Sequence, residues 1–116
     1  MATVYRFTLP WPPSANRYWR NVRGHTVVSS EARDYKLRAA WEARIAVDEP
    51  LSGNVILTMD FYRPRKSGDL SNRIKVLEDA LNGVAFNDDK QVIEIHARRF
   101  DDKHNPRVEV EVREAT

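Results

Sequence analysis

From Asn54 to Tyr62 the chain alternates Val55, Leu57, Met59 and Phe61 with Ile56, Thr58, Asp60 and Tyr62, and soon afterwards the apolar spacing lengthens to Leu70, Ile74, Leu77 and Leu81. The first pattern has the two-residue period of a strand with one apolar face, and the second has the period of an amphipathic helix. Pro64 closes the strand and Gly83 stops the helix, so the middle of the chain reads as a strand handing over to a helix. That helix is predicted from Asp69 to about Asn82, with Ser71, Asn72, Lys75 and Asp79 on the side away from the stripe.

Upstream, Val4 to Leu9 reads as a short strand ended by Pro10, Pro12 and Pro13, which cannot donate to a ladder. Residues 10–30 then read as a long ordered loop. Ser29 or Ser30 caps a second helix whose first turn holds Glu31 and Asp34, favourably placed for the helix dipole. Leu37, Trp41 and Ile45, joined by Ala40, form a stripe at i, i+4, i+8 that predicts a core-facing helix to about Val47, before Pro50. Val92–Arg99 and Arg107–Arg113 alternate as strands, and the turn-rich residues 101–106 between them predict an antiparallel hairpin. The order is β-α-β-α-β-β. An α+β fold is expected: a single small domain over residues 1–116, with a mixed sheet covered by two helices.

Cysteine is absent, which excludes disulfides, thiolate zinc sites and a cysteine nucleophile. His25, His96 and His104 are too scattered to make a zinc set. No run approaches the ~18 apolar residues of a membrane span, and the opening MATVYRFTLP has no signal-peptide character, so no membrane is expected and the cytoplasm is the expected address. The net charge of +2 hides a segregation. No acid precedes Glu31, whereas Arg6, Arg17, Arg20 and Arg23 do; Arg63, Arg65, Lys66, Arg73 and Lys75 surround the lone Asp69; from Glu78 onward ten acids face six bases. Two basic segments beside a carboxylate-rich one suit an enzyme acting on a polyanion, because phosphates bind Lys and Arg while carboxylates hold a metal.

The chemistry concentrates between Arg63 and Val92. Asp69 follows a glycine at the start of a helix, where it can serve as an N-cap, and Asp88 and Asp89 stand in the loop after that helix, where they can form a polar turn. Their combination with Lys75 and the basic run Arg63, Arg65, Lys66 points further, to a site for phosphate chemistry. A helix of ~14 residues is ~21 Å long, so the two acidic ends meet only if the loop folds back. Trp11, Tyr18 and Trp19 interleave with Arg17, Arg20 and Arg23, a pairing that either stacks bases and neutralises phosphates or packs its rings on the sheet. Trp41 reads as core, and His96 falls on the polar face of a strand.

Two blocks carry a family resemblance. One is Leu9-Pro10-Trp11-Pro12-Pro13-Ser14-Ala15-Asn16-Arg17-Tyr18; the other is Asp69-Leu70-Ser71-Asn72, then Lys75, Asp79-Ala80-Leu81 and Asp88-Asp89-Lys90-Gln91-Val92. In order and spacing they resemble the RusA family of Holliday-junction resolvases over nearly the whole chain. The resemblance implies a homodimeric, magnesium-dependent endonuclease that makes paired nicks in opposing strands of four-way junction DNA during recombination and repair. It implies that Asp69, Lys75 and Asp89 are catalytic; the expected Mg²⁺ ligands are Asp69, Asp89, Ser71 and Asp88. The DNA-contacting set is Asn16, Arg17, Arg20, Arg23, Arg63, Arg65, Lys66, Asn72 and Arg73. One departure matters: the family pattern Asp-x-Asp-Asn is here Asp69-Leu70-Ser71-Asn72, so a hydroxyl stands where a carboxylate is expected, and a hard-cation site loses one charge. Asp88 is the expected compensation and Glu78 a poorer one. The alternatives are a non-catalytic junction-binding relative, or an unrelated small nucleic-acid-binding module.

Overall fold

A computed structural model of the chain describes residues 2–13, 19–66 and 70–115; the side chains of residues 19, 20, 71 and 72 fall outside the description. The elements run β1 (Val4–Pro10), β2 (Trp19–Val22), β3 (His25–Val28), α1 (Ser30–Ala46), β4 (Val55–Arg63), α2 (Leu70–Leu81), a single 3₁₀ turn (Asp89–Gln91), β5 (Val92–Asp101) and β6 (Arg107–Glu114). Strands β1, β6, β4 and β5 form one mixed four-stranded sheet in that order, and β2 and β3 form a separate hairpin. Both helices lie on one face, with α1 packed on β1 and α2, and α2 also touching β5.

The alternating residues of β4 behave as their period requires. Val55, Leu57, Met59 and Phe61 are fully buried beneath the helices, joined by Leu9 from β1 and Val108 and Val112 from β6. From α2 the apolar stripe contributes Leu77 and Leu81, with Val76 and Ala80 beside them. Gly83 ends that helix at a φ of +83°, the left-handed backbone that glycine adopts without steric penalty. The opposite face of the sheet is polar and paired within itself: Arg98 makes two 2.8 Å bonds to Asp60, Arg6 bridges to Glu111, and His96 lies 3.1 Å from Glu94.

Three expectations are corrected. First, β5 and β6 are not a hairpin. Strand β5 pairs in parallel with β4, while β6 inserts antiparallel between β4 and β1. The reason lies in α2, which is the helical crossover that a parallel strand pair requires; once β5 has docked beside β4, the remaining place for β6 is the other flank of β4. Residues 102–106 therefore step across the end of β4, anchored by the Asp102 N–H donating to the Arg63 carbonyl.

Second, the stripe Leu37, Trp41, Ile45 does not face the core. Helix α1 buries Ala32, Tyr35, Ala39 and Ala43 instead, and leaves the three larger residues exposed. Two apolar stripes lie on opposite sides of this helix, and the small one wins because alanines let the helix axis approach the sheet and α2 closely. Tyr35 reaches over β1 to donate its hydroxyl to the Pro10 carbonyl at 2.8 Å, and burial pushes its pKa up. Ser29 is the N-cap, its Oγ accepting the Ala32 N–H at 3.1 Å.

Third, part of the supposed loop is the β2–β3 hairpin. Its turn residues Arg23 (φ 51°) and Gly24 (φ 80°) both take positive φ, as a tight two-residue hairpin turn demands.

Candidate active site

Helix α2 follows β4 directly, so the basic end of β4 and the first turn of α2 are neighbours in the chain. Past Leu81 the chain doubles back along the helix. The Gly83 N–H donates to the Phe86 carbonyl, the Val84 and Ala85 N–H groups return to the Leu81 carbonyl, and the Leu51 N–H binds the Ala85 carbonyl. Phe86, fully buried, pins the returning segment to the core. The returning segment brings Asp89 alongside α2 at Lys75.

Lys75 Nζ stands 3.8 Å from Asp89 Oδ2 and 3.8 Å from Glu78 Oε1. Its own side chain is exposed, whereas Glu78 is mostly covered. Burial raises the Glu78 pKa; Lys75 opposes the shift, and the neighbouring Asp89 and Asp79 carboxylates add to it. Asp79 itself reaches across to Lys36 of α1 at 3.4 Å, tying the two helices together on this side.

Asp88 and Asp89 sit next to each other but do different work. Asp88 is the N-cap of the 3₁₀ turn, its Oδ1 accepting the Lys90 N–H at 2.9 Å. That bond lowers the Asp88 pKa first, and a hydrogen bond with Asp89 lowers it further. Gln91 completes a capping box: its Oε1 accepts the Asp88 N–H at 2.8 Å, while its amide group donates to the carbonyls of Leu51 and Gly53, each at 2.7 Å. One side chain thus clamps the acidic turn to the segment leading into β4.

The basic residues divide. Arg63 is paired with Asp101 and largely covered. Arg73 donates to the Pro12 carbonyl at 2.7 Å and lies 4.8 Å above the Trp11 ring, so it holds the proline-rich segment onto α2; burial, then the Arg65 guanidinium, lowers its pKa. Trp11 in turn packs edge-on against Phe61 at 6.1 Å, which is the sheet-packing reading of that residue. Arg65 and Lys66 stand exposed just past β4, and Arg23 is exposed at the hairpin tip. Asn16, Arg17 and Asp69 lie outside the described residues, as do the side chains of Arg20, Ser71 and Asn72.

Two further features of this region have a sequence signal. Glu78 is seven residues after position 71 and three after Lys75, which places all three on one face of a helix. Asp88-Asp89-Lys90-Gln91 has the D-x-x-Q spacing of a capping box. Among the described residues no three acidic or histidine side chains are grouped as a metal-holding set. The Asp89 and Glu78 carboxylates that converge on one ammonium are nevertheless hard oxygen donors, the kind Mg²⁺ takes.

The family model described as Endodeoxyribonuclease RusA matches residues 10–113. The chain belongs to the RusA family. A relative from Escherichia coli strain K12, named crossover junction endodeoxyribonuclease RusA, is 36% identical over 114 residues, covering 96% of this chain and 95% of its own. A relative of the same name from Enterobacteria phage 82 is 34% identical over the same shares, and another from Escherichia coli O139:H28 is 39% identical over 78% of each chain. The match takes in both the proline-rich opening and the α2 region, so Lys75 and the acidic turn lie within the matched part of this RusA-family chain.

Proposed function

We propose that this RusA-family protein is a structure-selective DNA endonuclease that resolves four-way junctions by paired nicks, acting as a homodimer in the cytoplasm with Mg²⁺. The observation that carries the reading is the meeting of Lys75, Asp89 and Glu78 at the fold-back; Arg65 and Lys66 stand exposed just past β4. An ammonium held between carboxylates can bind a non-bridging phosphate oxygen, and exposed bases can hold the flanking backbone. The oxygen donors assigned to Mg²⁺ are Asp69, Asp89, the Ser71 hydroxyl and Asp88, whose Oδ1 already accepts the Lys90 N–H. When bound, the ion supplies charge neutralisation at the phosphate and a water of lowered pKa. Lys75 stabilises the charge that gathers on the phosphate oxygens as the water oxygen bonds to phosphorus and the ester oxygen departs. Asp89 and Glu78 orient that ammonium. A four-way junction presents two equivalent strands, and a chain with one such site needs a two-fold mate to cut both.

The test is a synthetic four-way junction and a linear duplex of equal length, each incubated with protein in Mg²⁺ or in chelator. Cleavage confined to the junction with Mg²⁺ is expected, and Asp89→Asn should keep junction binding while losing cleavage. Lys75→Ala should lower the rate by the ~2–4 kcal/mol typical of one electrostatic stabiliser. Wild-type turnover in either variant would refute the site. Ser71 favours one second reading, a binding-only relative short of one carboxylate. A wild type that binds junctions but never cuts, and is rescued by Ser71→Asp, would establish that reading instead.

A further inference from the structure

Pro10, Trp11, Pro12 and Pro13 follow one another where β1 ends, and among them only Trp11 has a backbone N–H. A segment so poor in donors is fastened through its carbonyls, and each helix supplies one donor. Tyr35 of α1 donates its hydroxyl to the Pro10 carbonyl at 2.8 Å, and Arg73 of α2 donates from Nη1 to the Pro12 carbonyl at 2.7 Å. The Arg73 guanidinium also lies 4.8 Å from the centroid of the Trp11 ring, which meets Phe61 edge-on at 6.1 Å. Pro12 is fully buried and Arg73 half-buried. We infer that Arg73 is a positioning residue for junction recognition, a latch that holds the proline-rich segment on the first turn of α2 and makes no contact with DNA itself.

Three features separate a latch from a phosphate contact. The first is how the guanidinium is used. One face lies on an indole and one terminal nitrogen is committed to a carbonyl, whereas a phosphate-binding cation offers its donors to solvent, as the exposed Arg65 and Lys66 do. The second is connectivity. Arg73 directly follows Asn72, and Pro13 leads directly into residues 14–18, which include Asn16 and Arg17. One side chain therefore ties together two stretches of chain 61 residues apart on which the DNA-binding reading depends. The third is stiffness. Each proline fixes its own φ near −65°, so a hold at Pro12 carries into the residues after it instead of being lost in chain flexibility. Arginine suits this task because its planar group stacks on a ring while its edge donates a hydrogen bond; a lysine ammonium has no such plane.

The inference rests on the junction-endonuclease reading above, and the experiment separates the two. Binding of the full chain to a four-way junction and to linear duplex is measured in chelator over about 50–200 mM salt, for the wild type, Arg73→Ala, Arg73→Lys, Trp11→Ala, the double variant Arg73→Ala/Trp11→Ala and Arg65→Ala, with circular dichroism confirming the fold of each. Arg73→Ala and Arg73→Lys should each bind the junction about tenfold more weakly, the size of one lost hydrogen bond to a charged group, with the slope of log affinity against log salt unchanged. The double variant should bind no more weakly than Trp11→Ala, because the two residues act as one unit. Arg65→Ala should reduce the slope by about one, as loss of a phosphate contact does. A merely structural role would lower the melting temperature and leave the affinity of the folded protein unchanged. A readout without DNA accompanies these: in a Trp19→Phe/Trp41→Phe background, acrylamide quenching of Trp11 should rise when Arg73→Ala is added. A salt slope reduced by about one in Arg73→Ala and restored in Arg73→Lys overturns the latch, as does wild-type junction affinity in Arg73→Ala. A wild type that does not prefer the junction to duplex overturns the functional reading itself; unchanged Trp11 quenching overturns the latch whether or not that reading stands.

Discussion

Gln91 is the residue whose removal should cost the acidic turn most. Its side chain makes three hydrogen bonds, accepting from the Asp88 N–H and donating to the carbonyls of Leu51 and Gly53, and so joins the turn carrying Asp89 to the chain entering β4. A typical hydrogen bond contributes ~0.5–1.5 kcal/mol net, and a buried group left without its mate costs more. Leu51 is buried, whereas Gly53 is exposed, so water replaces the second bond more cheaply than the first. Gln91→Ala should therefore destabilise the protein by about 1.5–2.5 kcal/mol. With a urea slope of ~1–3 kcal/mol per molar, the unfolding midpoint should fall by roughly 1 M at unchanged slope. Gln91→Glu makes the sharper test. It keeps the acceptor for the Asp88 N–H, and glutamate suits a capping box, yet it sets a carboxylate against two carbonyl oxygens. At pH 7 it should be at least as unstable as Gln91→Ala, and it should regain stability on acidification as the new carboxyl takes a proton. A Gln91→Glu midpoint equal to wild type at pH 7 would refute the clamp, because it would mean that the two donated bonds contribute nothing. Junction cleavage measured on the same variants should fall further than binding, since the turn positions Asp89.

Glu78→Gln should raise the urea midpoint at pH 7: a carboxyl whose folded pKa is raised binds protons more readily when folded, so the wild type loses stability as pH rises through that range, and the glutamine does not. The gap should close as pH falls below the ordinary glutamate value of ~4.3, and a wild type more stable than the variant at pH 7 contradicts the burial argument. Asp102 has the opposite sign. Arg107, then the Asn105 and His104 N–H groups, hold its pKa down, so its contribution is fully present above the ordinary aspartate value and is lost as pH falls from there through the lower folded value. Asp102→Asn should be less stable than wild type at pH 7, and the gap should narrow as pH falls below the ordinary aspartate value, as read by thermal melts across that range. Ala39→Leu, at a fully buried contact of α1, should destabilise by ~1–3 kcal/mol through overpacking; a neutral result in denaturant titration would mean that α1 does not press on the sheet there.

Much of this molecule was decided locally, within a few residues. The two-residue period of β4 and the stripe of α2 predict both elements nearly to their ends, because each pattern has one apolar face and one way to bury it. Ser29 as a cap and Gly83 as a stop are likewise local, set by a side-chain oxygen near the first free N–H groups and by a φ of +83°. The acidic turn and Lys75 were legible as residue types in a family spacing, and the D-x-x-Q box was there to be read. Their meeting was not. It depends on a chain reversal pinned by Phe86 and by backbone bonds to Leu51 and Ala85, contacts that no short window of sequence contains. The neighbours of β5 and β6 were equally out of reach, since alternation tells a strand which face to bury and says nothing about which strand lies beside it. Helix α1 shows the limit most clearly. Two apolar stripes competed for one core, and periodicity weighs them by hydrophobicity, which favours Leu37, Trp41 and Ile45. Packing against β1 and α2 weighs them by size, and that chose the alanines.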